Sequence, residues 1–133
     1  MTVRARAVVV AVGVVLGFGC ASTSTFTYTE SNLSKIRVGD PKERILGIFA
    51  TKITNDEVTH GMTIRAAQKD ASGNLLEVGE VLLLNEEDIY KLTPHWFLFE
   101  NGRLQGWGRP EDWRGFSAKY PIDFTPSAPI TLY

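Results

Sequence analysis

The chain holds one cysteine and two histidines, so thiol and imidazole chemistry has few possible homes. Cys20 stands in "VVLGFGCAST", where an apolar run gives way to Ser and Thr. A single Cys cannot form an intramolecular disulfide, and no His or Asp lies nearby to complete a metal site. A free thiol in an oxidising compartment is a liability, so a modified thiol is the economical reading. His60 and His95 are read as surface or core-edge residues rather than catalytic bases. Glu86, Glu87 and Asp88 cluster their carboxylates, but acid–base work needs surroundings that push carboxyl pKa values apart. A solvated acidic turn is expected there. Gly106-Trp107-Gly108 lacks the strand-to-helix setting of a phosphate loop. The sequence therefore nominates no catalytic residue, no cofactor and no metal ligand.

The flanks of Cys20 say where such a thiol would be used. Arg4 and Arg6 form a short basic segment, and Ala7 to Phe18 is apolar or Gly throughout. A positive segment, an apolar segment and then small residues is the order of a secretory signal. The apolar run is short of the roughly 20 residues that a membrane crossing wants. Gly19 and Cys20 resemble the last two positions of the lipobox of bacterial lipoproteins, with Leu16 upstream. That resemblance implies cleavage before Cys20 and acylation of its thiol, which makes membrane lipid a partner through Cys20. Two or more acyl chains hold a protein firmly where one holds marginally. Ala21, rather than Asp, follows the Cys, which in the resemblance implies transfer to the outer membrane, facing the periplasm.

The formal net charge is −1 at pH 7 and becomes more acidic once Arg4 and Arg6 are removed. No basic stripe appears, so nucleic acid is not an expected partner. The aromatic residues are the other candidates for function. Trp96, Trp107 and Trp113 lie close together in sequence, with Phe116 and Tyr120 after them. Two readings stand side by side. The stretch "RPEDWRGFSAKYPIDF" folds back and these rings pack a core, or they form an exposed patch, since Trp, Tyr and Arg dominate binding hot spots. Trp96, Trp107, Arg103 and Arg109 are the candidates for partner binding.

The elements that would position these residues follow from capping and periodicity. Residues 1–19 are the expected signal, 20–31 a flexible lipidated Ser/Thr-rich tether, 32–115 one small domain and 116–133 an extended C-terminal segment. In "VGDPKERILGIFATK", Asp40 is placed to cap, Pro41 suits the first helical position and Glu43 completes a capping box. Ile45, Ile48 and Phe49 make its apolar face. "ESNLSKI" offers a shorter helix before Gly39. "VTHGMTIRAAQ" alternates as one strand with Met62, Ile64 and Ala66 on one face, "KDASGN" is a turn and "LLEVGEVLLLN" a second strand. In "HWFLFENGRLQGWGR", Asn101-Gly102 predicts a two-residue type I′ hairpin. Glu100 then faces Arg103, Phe99 faces Leu104, and Trp96 faces Trp107. The tail "FTPSAPITLY" reads as an edge strand or an arm, because of its prolines. The expected fold class is α+β: two short N-terminal helices packed on an antiparallel sheet of three to four strands that ends in a β-hairpin.

With both ends read, "VGDPKERIL" and "FLFENGRLQGWG" resemble the SmpA/OmlA (BamE-like) family of small outer-membrane lipoproteins. Val38, Gly39, Lys42, Ile45, Phe49, Phe99, Gly102 and Leu104 match the family pattern in kind, while Ala50 and Lys52 stand where it has Gly and Pro. The resemblance implies a non-enzymatic scaffold of the cell envelope that binds another protein, in outer-membrane assembly or integrity. The alternatives are an inhibitor or ligand-binding periplasmic lipoprotein, since the repeats of the β-lactamase inhibitory protein have a similar helix–sheet build, or a small hydrolase.

Overall fold

The computed structural model describes residues 24–88 and 91–131. Its framework is a long antiparallel pair: β5 (Leu75–Leu84) runs against β6 (Lys91–Glu100). Both strands are buried along most of their length and mainly apolar, as suits strands covered on both faces. Around them lie β1 (Ser24–Thr29), β2 (Lys52–Thr54), β3 (Glu57–His60), β4 (Thr63–Lys69), β7 (Arg103–Gly108) and β8 (Ile130–Thr131). The sheet runs β2-β3-β1-β5-β6-β7, with β4 also on β5 and β8 also on β6. It is mixed, because β1 pairs in parallel with both β3 and β5.

The expected fold class is therefore wrong. Among the described residues there are eight strands, not three or four. Helix among the described residues is confined to α1 (Lys42–Ile48), α2 (Trp113–Ser117) and two 3-10 turns, Glu30–Lys35 and Pro110–Asp112. "ESNLSKI" forms the first of these 3-10 turns instead of an α-helix. Asp40 does not cap α1: its Oδ2 accepts the Arg37 N–H at 2.9 Å, and Pro41, in extended conformation, precedes the helix. The expected tether also needs correction. Ser24 to Thr29 form β1, since Thr-rich extended chain suits a sheet that offers it two neighbours. Cys20 and the expected signal lie outside the described residues.

Two β-bulges decide which side chain faces which way. At the Asn101-Gly102 turn both φ angles are positive, 51° and 79°, and Glu100 faces Arg103 while Phe99 faces Leu104. The register then shifts, so that Leu98 faces Gly106, Phe97 faces Trp107 and Trp96 faces Gly108. Gln105 is the extra residue, and one extra residue turns every later side chain to the other face. Trp96 and Trp107 thus lie on opposite faces instead of forming the expected pair. A second shift at Arg65 sets Ile64 beside Gly79 and Ala66 beside Val78, which divides another expected face. The "VTHGMTIRAAQ" run is also broken between β3 and β4. A Cβ on Gly61 would come within 2.0 Å of the Phe49 carbonyl, and the Met62 N–H donates to that carbonyl at 2.7 Å.

One face of the sheet carries Ile36, Ile45, Phe49, Val81, Leu83, Phe97, Phe99 and Leu104, closed by α1 and the first 3-10 turn. The other carries Leu76, Val78, Trp96, Leu98, Trp113 and Ile122, with Phe116, Tyr120 and Phe124 packed on them. The stretch from Trp113 onward is thus a strap across the second face. The expected division at residue 115/116 falls inside α2. Pro94 lies between the β8 pairing at Leu92 and the β7 pairing at Trp96, a gap where a missing N–H costs nothing.

Candidate functional site

The four partner-binding candidates do not meet in one place. Trp96 is 2% exposed and is core. Its indole donates to the Arg109 carbonyl at 2.8 Å, and its ring lies 5.0 Å from that of Trp113 and 4.8 Å from that of Phe116. Trp96 is therefore withdrawn from the binding surface. The aromatic strap covers it, as the packing reading had it. Arg103 is exposed near the hairpin turn and donates to the Gly39 carbonyl at 3.2 Å. His60 is exposed at the end of β3, and Glu86, Glu87 and Asp88 are exposed in the β5–β6 loop.

Trp107 and Arg109 do come together. They line a shallow, open cleft of about 380 Å³ with Glu30, Leu33, His95 and Asp112. Each wall has a local cause. The bulge at Gln105 turns Trp107 toward the Phe97 face, where it packs half-buried on the core edge. Gly106 and Gly108 do not bare Trp107. They leave room for rings on the opposite face: a Cβ on Gly106 would lie 2.6 Å from Phe116, and one on Gly108 would lie 2.9 Å from Trp96. Arg109 leaves β7 with its N–H held by Asp112 Oδ2 at 3.0 Å. Glu30 opens the 3-10 turn after β1.

The polar floor is a chain of three charged or chargeable groups. Arg109 donates to Glu30 Oε2 from Nη2 at 2.7 Å and from Nε at 3.2 Å. His95 Nε2 lies 3.3 Å from the same oxygen, and His95 Nδ1 lies 3.0 Å from the Thr93 carbonyl. Burial pushes the His95 imidazole below its ordinary pKa, the Arg109 charge adds to that, and Thr93, Glu30 and Asp112 pull against it. The hydrogen bond to Glu30, then its charge, holds Arg109 even more firmly protonated than usual.

An imidazole beside a carboxylate could act as a base, but base catalysis by a covalent route needs a nucleophile in hydrogen-bond reach. Among the described residues His95 Nδ1 is hydrogen-bonded to the Thr93 carbonyl and Nε2 faces the Glu30 carboxylate, so neither nitrogen meets a hydroxyl or thiol. No group of three or more His, Cys, Asp or Glu is placed to hold a metal ion among the described residues. The cleft is too open to enclose a small ligand, which usually buries most of its surface. A half-buried indole beside a fixed guanidinium instead suits the side chains of a protein partner.

Sequence reasoning missed Glu30 and His95 as neighbours. Glu30 is 79 residues from Arg109 in sequence, so no local pattern could join them. His95 offered one signal, a polar residue inside an apolar strand. No helix among the described residues is long and apolar enough to cross a membrane. No family model, no curated protein and no solved structure matches the chain, so the SmpA/OmlA likeness rests on its quoted residues alone.

Proposed function

We propose that this chain is a lipid-anchored protein of the bacterial outer membrane, periplasm-facing, that acts as a non-enzymatic interaction module. Acylated Cys20 is the anchor, and the cleft rimmed by Trp107 and Arg109 receives a partner protein of the envelope. The observation that carries the docking site is the half-buried Trp107 beside Arg109, whose guanidinium is already fixed by Glu30. A guanidinium held in place loses little freedom on binding, which lowers the cost of docking. The anchor rests on the basic segment, the apolar run and the Gly19-Cys20 pair.

Two measurements test the parts separately. The intact mass of membrane-extracted protein should show a chain that starts at Cys20 and carries added lipid; a chain that starts at Met1 ends the anchor reading. Trp107→Ala should lose no more than about 1–2 kcal/mol of stability, since its ring is only half-buried. It should also lose the proteins that cross-link to the wild-type cleft in membranes. A folded variant that keeps every cross-link would remove the cleft from the proposal.

A further inference from the structure

His95 is only 2% exposed, yet it does not rest in an ordinary hydrogen-bonded state. Its Nδ1 is hydrogen-bonded to the Thr93 carbonyl at 3.0 Å, while its Nε2 stands at ion-pair distance, 3.3 Å, from Glu30 Oε2. Both partners are acceptors only. A neutral imidazole has one N–H and can serve one of them. The bare nitrogen then faces the lone pairs of the other oxygen. Only the imidazolium, with two N–H groups, satisfies both contacts.

The contacts are unequal. Thr93 belongs to the same strand, so its carbonyl stays in place whatever the ring does. Glu30 belongs to the 3-10 turn that follows β1, and Arg109 holds it by the same oxygen. We propose that His95 is a proton-operated latch on this turn. Neutral, it donates from Nδ1 to Thr93 and leaves Glu30 to Arg109 alone. Protonated, it also donates from Nε2 to Glu30, and the Glu30–Lys35 turn is drawn onto β6.

The groups that face His95 set the strength of the latch. Glu30 from the first 3-10 turn and Asp112 from the second favour its charge, and Arg109, from the end of β7, opposes it. Glu87 and Glu111 act on Arg109 in turn. Val81, the register neighbour on β5, brings no charge. A buried charge-assisted hydrogen bond is stronger than a neutral one. Acidification should therefore tighten this turn while it strains the rest of the fold. Because β1 leads directly into the turn, the latch sets how firmly β1 is continued into the body. It uses Glu30 and Arg109 of the cleft floor but needs no occupant of the cleft.

The test follows the imidazole nitrogens of His95 by NMR from pH 8 to pH 4.5, together with hydrogen exchange of the Thr29 and Ile36 amides. These two donate within the turn, to Asn32 Oδ1 at 3.1 Å and to the Leu33 carbonyl at 3.3 Å. The expected result is an Nδ1–H tautomer at high pH. Protection of both amides should rise by about tenfold as His95 gains its proton, the effect of one hydrogen bond to a charged group. Glu30→Gln should abolish that rise and move the His95 titration to lower pH. An Nε2–H tautomer at high pH, or protection that stays flat or falls as His95 titrates, overturns the latch. Should Glu30→Gln fail to fold, the wild-type tautomer and amide protection decide the question by themselves.

Discussion

The two faces of the sheet are closed by different means. On one face α1 lays Ile45 and Phe49 onto Phe97, Phe99 and Leu104. The cover is a regular element whose apolar spacing is visible in sequence. On the other face a strap with little regular structure lays Trp113, Phe116, Tyr120, Ile122 and Phe124 onto Trp96 and Leu98. The strap has no ladder over most of its length, so side chains must hold it. The Trp113 indole donates to the Phe124 carbonyl at 3.2 Å. Gln68 of β4 donates to the Pro121 carbonyl at 2.8 Å and accepts the Asp123 N–H at 3.1 Å. Buried Glu80 accepts from the Ser127 hydroxyl at 2.8 Å and the Ser127 N–H at 3.0 Å, and pairs with Arg65. A helix satisfies its own backbone and needs only an apolar stripe. An irregular cover needs a partner for each polar group it brings.

That contrast predicts where the molecule is most easily broken. Trp96→Ala should cost the most, about 3–5 kcal/mol, because the strap's rings gather around this one side chain. Chemical denaturation measures it, and a loss below about 1 kcal/mol would mean that the strap is not a second core. Gly106→Ala comes next, at about 1–3 kcal/mol. Its Cβ would lie 2.6 Å from the Phe116 ring, which is only half-buried and must shift. A melting temperature equal to wild type would show that the strap yields freely.

Glu80→Gln should cost less, about 1–2 kcal/mol, since a neutral amide keeps some of the contacts and Arg65 is partly solvated. Its signature is local: faster exchange of the Ser127 amide, with amides of α1 unchanged. Equal effects on both would show that the two faces fold as one unit. The smallest effect concerns the first face. His95 lies below its ordinary pKa through burial, so the unfolded chain takes up a proton first as pH falls below about 6.5. Stability should therefore decline from that pH downward, until the folded-state pKa is passed. His95→Gln should flatten this part of the profile. An unchanged profile would mean that other groups set it.

Much of the local grammar was legible. The Asn101-Gly102 turn and its first two pairs lie where the sequence puts them. The "KDASGN" turn closes through Asp70, whose Oδ1 accepts the Ser72 and Asn74 N–H groups at 2.9 Å. The helix through Ile45 is present, though short. The fold class failed, along with the first helix, the Asp40 cap and the tether, and so did the facing of side chains downstream of each bulge. Gln105 and Arg65 look like ordinary alternating residues, so Trp96 and Trp107 were set face to face and Ile64 and Ala66 side by side. The cleft was half legible: Trp107 and Arg109 were named, whereas Glu30 was assigned to a tether and His95 set aside.

The amino-acid sequence by itself determined the features that depend on neighbours along the chain. These are the hairpin turn with its two positive φ angles, the positive-φ turn at Gly39, the apolar face of α1 and the apolar runs within β5 and β6. Backbone sterics and short-range hydrogen bonds decide them before any tertiary contact forms. The tertiary structure alone decided the two bulges, the capture of Ser24–Thr29 as a strand between β3 and β5, the closure of the strap over Trp96, and the meeting of Glu30 with His95 and Arg109. Each of these depends on a partner far away in sequence, and its energy exists only once that partner is in place.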